Sequence, residues 1–371
     1  RLTGCIKEMT MLPLLQIAGS VSQKKMRDGM LKIMDYLLER GVTTVYDAGN
    51  YIKEEQTYKI LSDLDKQGKL PVRIEATHII DLPDKLDGAI GEFKRLKSKY
   101  ETKNIKFKTM KMMLDGTLRA HTAKMITPYC DTGTTGGTLI DFKRLYEFIK
   151  QLNKEKIDFH LHTVGEGASK MVMDCAERII REDGKLDINI TLAHLESLTD
   201  EDLARFKPLG ITANFTPHWF GGIDYGDIEI MERILGEKRA HSIMRAKSMA
   251  ASGALVTFSS DEVSLKLLDR WNPFLGMETG MTRQEVKKGG KAAEIFPPET
   301  ERLSLEEMIK GYTINSARAL RLEDKIGSIE EGKYADLVIL DDNIFQIDPY
   351  EIHNIVPDAV IVEGEVVKGK L

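Results

Sequence analysis

Residues 157–163 read Ile157-Asp158-Phe159-His160-Leu161-His162-Thr163. Strand side chains alternate between faces, so Phe159 and Leu161 share one face and His160 and His162 the other. Two histidines on one face at a strand's C-terminal end are costly to bury unless they bind something. Hydrogen-bonded core histidines are the plain reading, and metal ligation is the sharper one. The pattern repeats along the chain. Apolar runs at 42–47, 70–80, 105–115, 188–194, 211–216 and 254–261 also read as strands, and several finish on a polar group: Asp47, Asp115, His194 and Asp261. Helical periodicity fills most of the intervals, at 53–66, 86–99, 142–154, 168–181, 199–206 and 242–251. Thr199 opens one helix and Ser304, with Glu307 three residues on, opens another by a capping box.

Strand and helix alternating this way means βαβ units and a parallel sheet. Seven such strands fit a doubly wound sheet, but polar residues at the C-terminal ends of several different strands favour a (β/α)8 TIM-type barrel. The expectation is then that the eighth strand, first in order, lies upstream of Arg1. After residue 322 the pattern changes. Residues 335–340 read as a strand, and 356–362 with 365–368 as a hairpin turning on Glu363-Gly364. The chain therefore divides into a barrel over 1–322, strands two to eight, and part of a small β-sandwich over 323–371.

The 371 residues carry 53 basic and 58 acidic side chains, a formal charge of −5, which excludes a basic nucleic-acid footprint for the whole chain. The densest basic run, 94–111, reads as a solvated helix and loop rather than a phosphate track. No apolar run approaches the ~18 residues of a membrane span. Three cysteines far apart exclude a disulfide scaffold and fit a reducing, cytoplasmic compartment. Leu2-Thr3-Gly4-Cys5 matches a lipoprotein cleavage box only by chance, since one residue precedes it.

Lys111 lies in Met110-Lys111-Met112-Met113-Leu114-Asp115, on one face with Met113 and Asp115. A lysine inside an apolar strand costs several kcal/mol unless paired or neutral. Pairing with Asp115 is one solution. A neutral amine that takes up CO2 becomes a carbamate, a carboxylate on a long arm, and a neutral amine in an apolar pocket also suits Schiff-base chemistry. Asp261 closes the last strand either as a helix N-cap or as a general base that doubles as a metal ligand. Trp219, Phe220 and Trp271 are core residues or the wall of an aromatic substrate site. Residues 280–298 read as a mobile surface excursion, a lid or an oligomer contact.

Lys111 to Thr117, His162 to Ala168, Ser259-Ser260-Asp261, Gly311 to Ala317 and Gly327 to Val338 together resemble the amidohydrolase superfamily, in the branch called amidohydrolase family 3. The resemblance runs over nearly the whole chain. It implies a barrel holding one or two divalent metals, zinc by default, with Lys111 as a carboxylated bridging ligand. His162 and His194 are then further ligands, and Asp261 is ligand and acid/base. His218 falls where related enzymes touch substrate, and Asp115 either orients Lys111 or meets substrate. The family's first-strand His-x-His is missing from the sequence, and His160-Leu161-His162 stands too late in the strand order to supply it. The implied activity is hydrolysis of a C–N bond, amide or formamide-like, by hydroxide from metal-activated water, on a small molecule, in a possible homo-oligomer. Two rivals stay open: a metal-poor binding or regulatory protein on the same barrel, and a Schiff-base lyase using Lys111.

Overall fold

The computed structural model describes residues 21–222, 228–261 and 269–370. Nine short parallel strands occupy the seven strand positions read from the sequence. β1 (Thr44–Tyr46), β2 (Arg73–Ala76) and β4 (Ile105–Phe107) form one ladder. β3 (Ile79–Ile80), β5 (Thr109–Met113), β6 (Asp158–Thr163), β7 (Ile190–His194), β8 (Thr212–Phe215) and β9 (Leu255–Phe258) form the other, each parallel to its neighbour. The sequence expectation of single strands at 70–80 and 105–115 is corrected: both are interrupted. At the first break the Tyr58 hydroxyl accepts from Thr77 N (3.0 Å) and donates to Thr77 O (2.8 Å), taking both backbone groups out of the ladder. The Thr77 hydroxyl then bonds Thr109 O at 2.7 Å, so side chains carry the connection across both breaks.

Helices fill the crossovers: α1 (Gln23–Glu39), α2 (Glu54–Lys66), α3 (Ala89–Tyr100), α4 (Phe142–Glu155), α5 (Glu166–Asp183) and α6 (Asp200–Leu209). Outward strand residues such as Phe107, Phe159 and Leu161 are fully buried beneath them. Among the described residues no ladder joins β1 to β9. At the N-terminal ends of the strands the segment 319–321 lies across the opening. Asn189 bonds Ala319 O (3.3 Å), Lys108 bonds Leu320 O (3.3 Å), and Arg321 makes a two-pronged bond to Asp158 (2.9 and 3.0 Å).

Between β8 and β9 come α7 (Ile228–Leu235), α8 (Glu237–Ala240) and α9 (Ala246–Ala251), and after β9 come α10 (Pro273–Thr282), α11 (Leu305–Tyr312) and α12 (Ile314–Ala319). The capping box at Ser304 and Glu307 has both its bonds. One continuous helix was expected over 308–320. It breaks at Thr313, whose hydroxyl turns back to Ile309 O at 2.7 Å, and Asn315 donates to Val256 O at 2.9 Å.

The expected surface excursion at 280–298 is exposed over most of 287–294, while its two ends are held in the fold. Residues up to Thr282 are helix, and Arg283 behind them is fully buried. Its guanidinium donates to the carbonyls of Phe296 (2.9 Å), Met244 (3.3 Å) and Pro297 (2.9 Å). Gln284 donates to the carbonyls of Lys291 and Ala293 and accepts from the Tyr350 hydroxyl. The loop is fastened.

The C-terminal sheet is antiparallel: β10 (Leu337–Ile339), β11 (Ala359–Val362) and β12 (Glu365–Gly369). Glu363 and Gly364 both take positive φ (51° and 88°), the turn that matches strand twist in a two-residue hairpin. Arg73 pairs with Asp336 and Glu363, tying this sheet to β2, and Ile352 and Val360 join the main hydrophobic core.

Candidate metal centre

β5, β6 and β7 bring the chemistry together. In their ladders Lys111 stands opposite His160, Met113 opposite His162, and His162 opposite Ala193. Lys111, His160, His162 and His194 are all buried. His194 is one register position out of step, paired with Thr163 rather than beside His162. Strand alternation alone would aim it away from His162. Its backbone instead turns left-handed (φ 79°), as does Leu195 (φ 49°), and its ring ends 4.5 Å from that of His162. Non-glycine residues hold such backbone only where the surroundings impose it.

Asp115 holds His162 in place. Its Oδ1 accepts from His162 Nδ1 (3.2 Å) and Val164 N (3.0 Å), and its Oδ2 from Gly165 N (2.9 Å) and Lys124 N (3.0 Å). With Nδ1–H donated to the carboxylate, His162 keeps its Nε2 lone pair free. All four acceptor directions of the carboxylate are taken, so Asp115 has none to offer a substrate. Nor does it pair with Lys111, against the plainer of the sequence expectations.

Lys111 makes no side-chain hydrogen bond or ion pair with a described residue. Burial pushes its ammonium down to about 8, against a smaller upward pull from Asp261. Asp261 itself follows β9, exposed and with left-handed backbone (φ 47°). Burial also holds the imidazoles of His160 and His194 well below the usual histidine range. Lys111 and then His162 add to the effect at His160, and His162, Lys111 and His160 at His194. Both are therefore neutral at pH 7, and each has a buried ring nitrogen without a hydrogen-bond partner among the described residues: Nε2 of His160 and Nδ1 of His194. His160 stacks on Tyr46 (5.0 Å between centroids) and His194 on Trp219 (5.1 Å), so aromatic rings flank the cluster.

His218 is placed differently from the other predicted residues. It is buried, its Nε2 bonds Asn272 O at 3.2 Å, and burial drives it down to about 4. It lies under α10 against Gly276, where a Cβ would sit 2.9 Å from His218 Cε1 and 2.0 Å from the Tyr312 hydroxyl oxygen. That packing turns the ring into the fold.

The donor set can be tested against a metal. Among the described residues no three His, Cys, Asp or Glu side chains form a group that could hold one. His162 and His194 supply two imidazoles, and an ammonium supplies no lone pair. The set fits a divalent metal once Lys111 carries a carboxylate. Sequence reasoning missed the bracing around this cluster. Asn214 donates to the Thr257 hydroxyl (3.0 Å) and accepts from Ser259 (2.9 Å), steadying the approach to Asp261. Glu166 accepts from Ile126 N (3.2 Å) and the Ser197 hydroxyl (2.7 Å). An asparagine inside the strand Thr212–Phe215 was the available signal for the first.

A buried lysine beside paired histidines at parallel strand ends is the arrangement the sequence resemblance implied, and residues 1–368 match the amidohydrolase family profile. The chain belongs to the amidohydrolase family. Among its relatives within reach of sequence comparison is the protein LONG AFTER FAR-RED 3 of Arabidopsis thaliana, 25% identical over 92% of this chain and 57% of that protein. Another is the N-substituted formamide deformylase of Arthrobacter pascens, 25% identical over 84% of this chain and 54% of the enzyme. The chain thus spans about half the length of these curated relatives. A metal-dependent hydrolase of Pyrococcus horikoshii, otherwise uncharacterised, superposes with a TM-score of 0.73 at 21% identity, over 93% of this chain and 65% of that one. That likeness makes the amidohydrolase chain a TIM-barrel-like α/β fold.

Proposed function

We propose that this amidohydrolase is a metal-dependent hydrolase that cleaves the C–N bond of a small amide or formamide-like substrate. The observation that carries the reading is the pair of buried imidazoles, His162 and His194, beside a buried lysine that makes no side-chain hydrogen bond or ion pair with a described residue. Lys111 as a carbamate, His162 and His194 would hold one or two zinc ions, with Asp261 as a further ligand. A bound divalent metal supplies acidified water and a polarised carbonyl. The chain's own residues do the rest. Asp261 takes the proton from the attacking water and passes it to the leaving nitrogen. Asp115 fixes the His162 ring, and the Trp219 and Tyr46 rings exclude bulk water from the cluster. The formamide deformylase among the relatives supports the choice of bond. The same reading takes the parallel strands as an eight-stranded barrel, one strand position more than the seven among the described residues, and the C-terminal sheet as half of a β-sandwich.

The decisive measurement is zinc per chain by elemental mass spectrometry, with turnover of a panel of N-formyl and N-acyl amines before and after chelation. One or two equivalents and chelator-sensitive hydrolysis are expected. Folded protein that refuses added zinc and turns over nothing overturns the reading in favour of a metal-poor binding protein, which the lack of a three-carboxylate-or-imidazole group among the described residues favours. Asp261→Asn is expected to lower kcat by about 10²–10⁴-fold. Full turnover in that variant removes Asp261 from the chemistry.

Asp115→Asn is expected to weaken zinc affinity by about 10–100-fold, the usual effect of losing a group that orients a metal-bound histidine. Competition against a chromophoric chelator reads it, with circular dichroism as the check on folding. Unchanged affinity in a folded variant removes the positioning role.

A further inference from the structure

The basic run at 94–111 divides in two in the fold. Arg95 and Lys99 reach Glu55 (2.9 and 2.7 Å), Lys103 reaches Glu363 (2.9 Å), and Lys106 lies 3.6 Å from Glu101, all on the outer surface. Lys94, Lys97 and Lys108, themselves partly to half exposed, line an open cavity of about 230 Å³, where Lys156 and Arg321 join them from distant parts of the chain. Phe93 and Phe107, both buried, line it on the apolar side.

Five cations face two carboxylates in this cavity, and both carboxylates are committed: Glu155 to Lys94 at 2.7 Å and Asp158 to Arg321 at 2.9 Å. Lys97 has only a distant partner among the described residues, Glu101 at 3.8 Å, while Lys108 lies 3.7 Å from Glu75 and donates to Leu320 O at 3.3 Å. Lys156, held at the end of α4 in left-handed backbone (φ 55°), makes no ion pair with a described residue. Like charges gathered into one concavity repel, and a bound anion relieves that repulsion. We propose that this cavity is a binding site for a small phosphate-type polyanion. Lysine ammoniums suit a phosphate as point charges, and the volume lies below the ~300 Å³ at which sites for larger ligands begin. The cavity is separate from the metal centre. Asp158 begins β6 and His162 lies four residues further on, roughly 13 Å along the strand at ~3.3 Å per residue.

Isothermal titration of the full chain with sodium pyrophosphate, at ionic strength held constant with sodium chloride, tests the assignment. Saturable binding near one equivalent is expected, weakened at least about tenfold in a Lys97→Ala/Lys156→Ala double variant, a change of ~1.4 kcal/mol. Lys99→Ala, which removes a cation of the same run outside the cavity, is expected to bind as the parent does. Both altered sites are exposed, so the variants should keep the parent's thermal unfolding. Binding no stronger than that of chloride overturns the proposal. So does pyrophosphate binding that the double variant retains, since it then occurs elsewhere, including at a bound metal.

Discussion

Lys111→Ala is expected to lower turnover by at least about a thousandfold, the scale seen when a group that stabilises developing charge is removed, while the protein stays folded. The side chain makes no bond to a described residue, so its loss strands no partner. What disappears is the group that, as a carbamate, would supply a carboxylate ligand beside His162 and His194. Zinc content should fall with activity. Two further readouts separate the chemistries open to this amine. A carbamate depends on CO2, so parent enzyme prepared without CO2 should lose activity and regain it with bicarbonate. A Schiff base would be trapped irreversibly by borohydride in the presence of a carbonyl substrate, and the carbamate would not. Full activity in the alanine variant would remove Lys111 from the site altogether.

Arg283→Met is expected to cost about 3–5 kcal/mol of stability, the range for breaking a fully buried charged network, read as a fall in the urea midpoint at unchanged slope. The guanidinium holds three carbonyls, from Phe296, Met244 and Pro297, and lies 5.3 Å above the Phe220 ring. Methionine fills much of the volume but donates nothing, leaving the Phe296 and Pro297 carbonyls without their donor, at about 1–3 kcal/mol each where water cannot reach, while Met244 O keeps its bond from Ala246 N (3.0 Å). The residue is buried so completely that its own ionisation is pushed down to about 10. A loss under about 1 kcal/mol would mean that water replaces the guanidinium and that the loop is not fastened by it.

Arg283 also marks where sequence reading reached its end. Gly289-Gly290 and three lysines at 287, 288 and 291 read as surface, and most of those residues are exposed. The tether is long-range, from one arginine to carbonyls up to 39 residues away, and no local pattern records it. By contrast the seven strand positions, the Glu363-Gly364 hairpin and the Ser304 capping box follow from spacing within a few residues, and all were legible. In the candidate site Lys111, His162 and His194 could be named because polar residues at the ends of apolar strands stand out. Their mutual geometry could not be read. His194 reaches His162 only through a left-handed backbone that alternation does not anticipate. Asp115 looked like a partner for Lys111 because they share a strand face. Its actual partners are a histidine 47 residues on and three backbone amides, and those depend on how the loop at 116–124 folds back.

That carboxylate joins an imidazole, a strand end and a returning loop. One oxygen grips the ring of His162 and the strand end at Val164, and the other grips Gly165 and the returning loop at Lys124. A tug on the loop is thus transmitted through a single rigid carboxyl group to the tilt of an imidazole. In the proposed metal site, ion affinity and the position of the loop are then coupled, so cleaving the backbone between Gly116 and Ala123 is expected to weaken ion binding without touching any group proposed as a ligand.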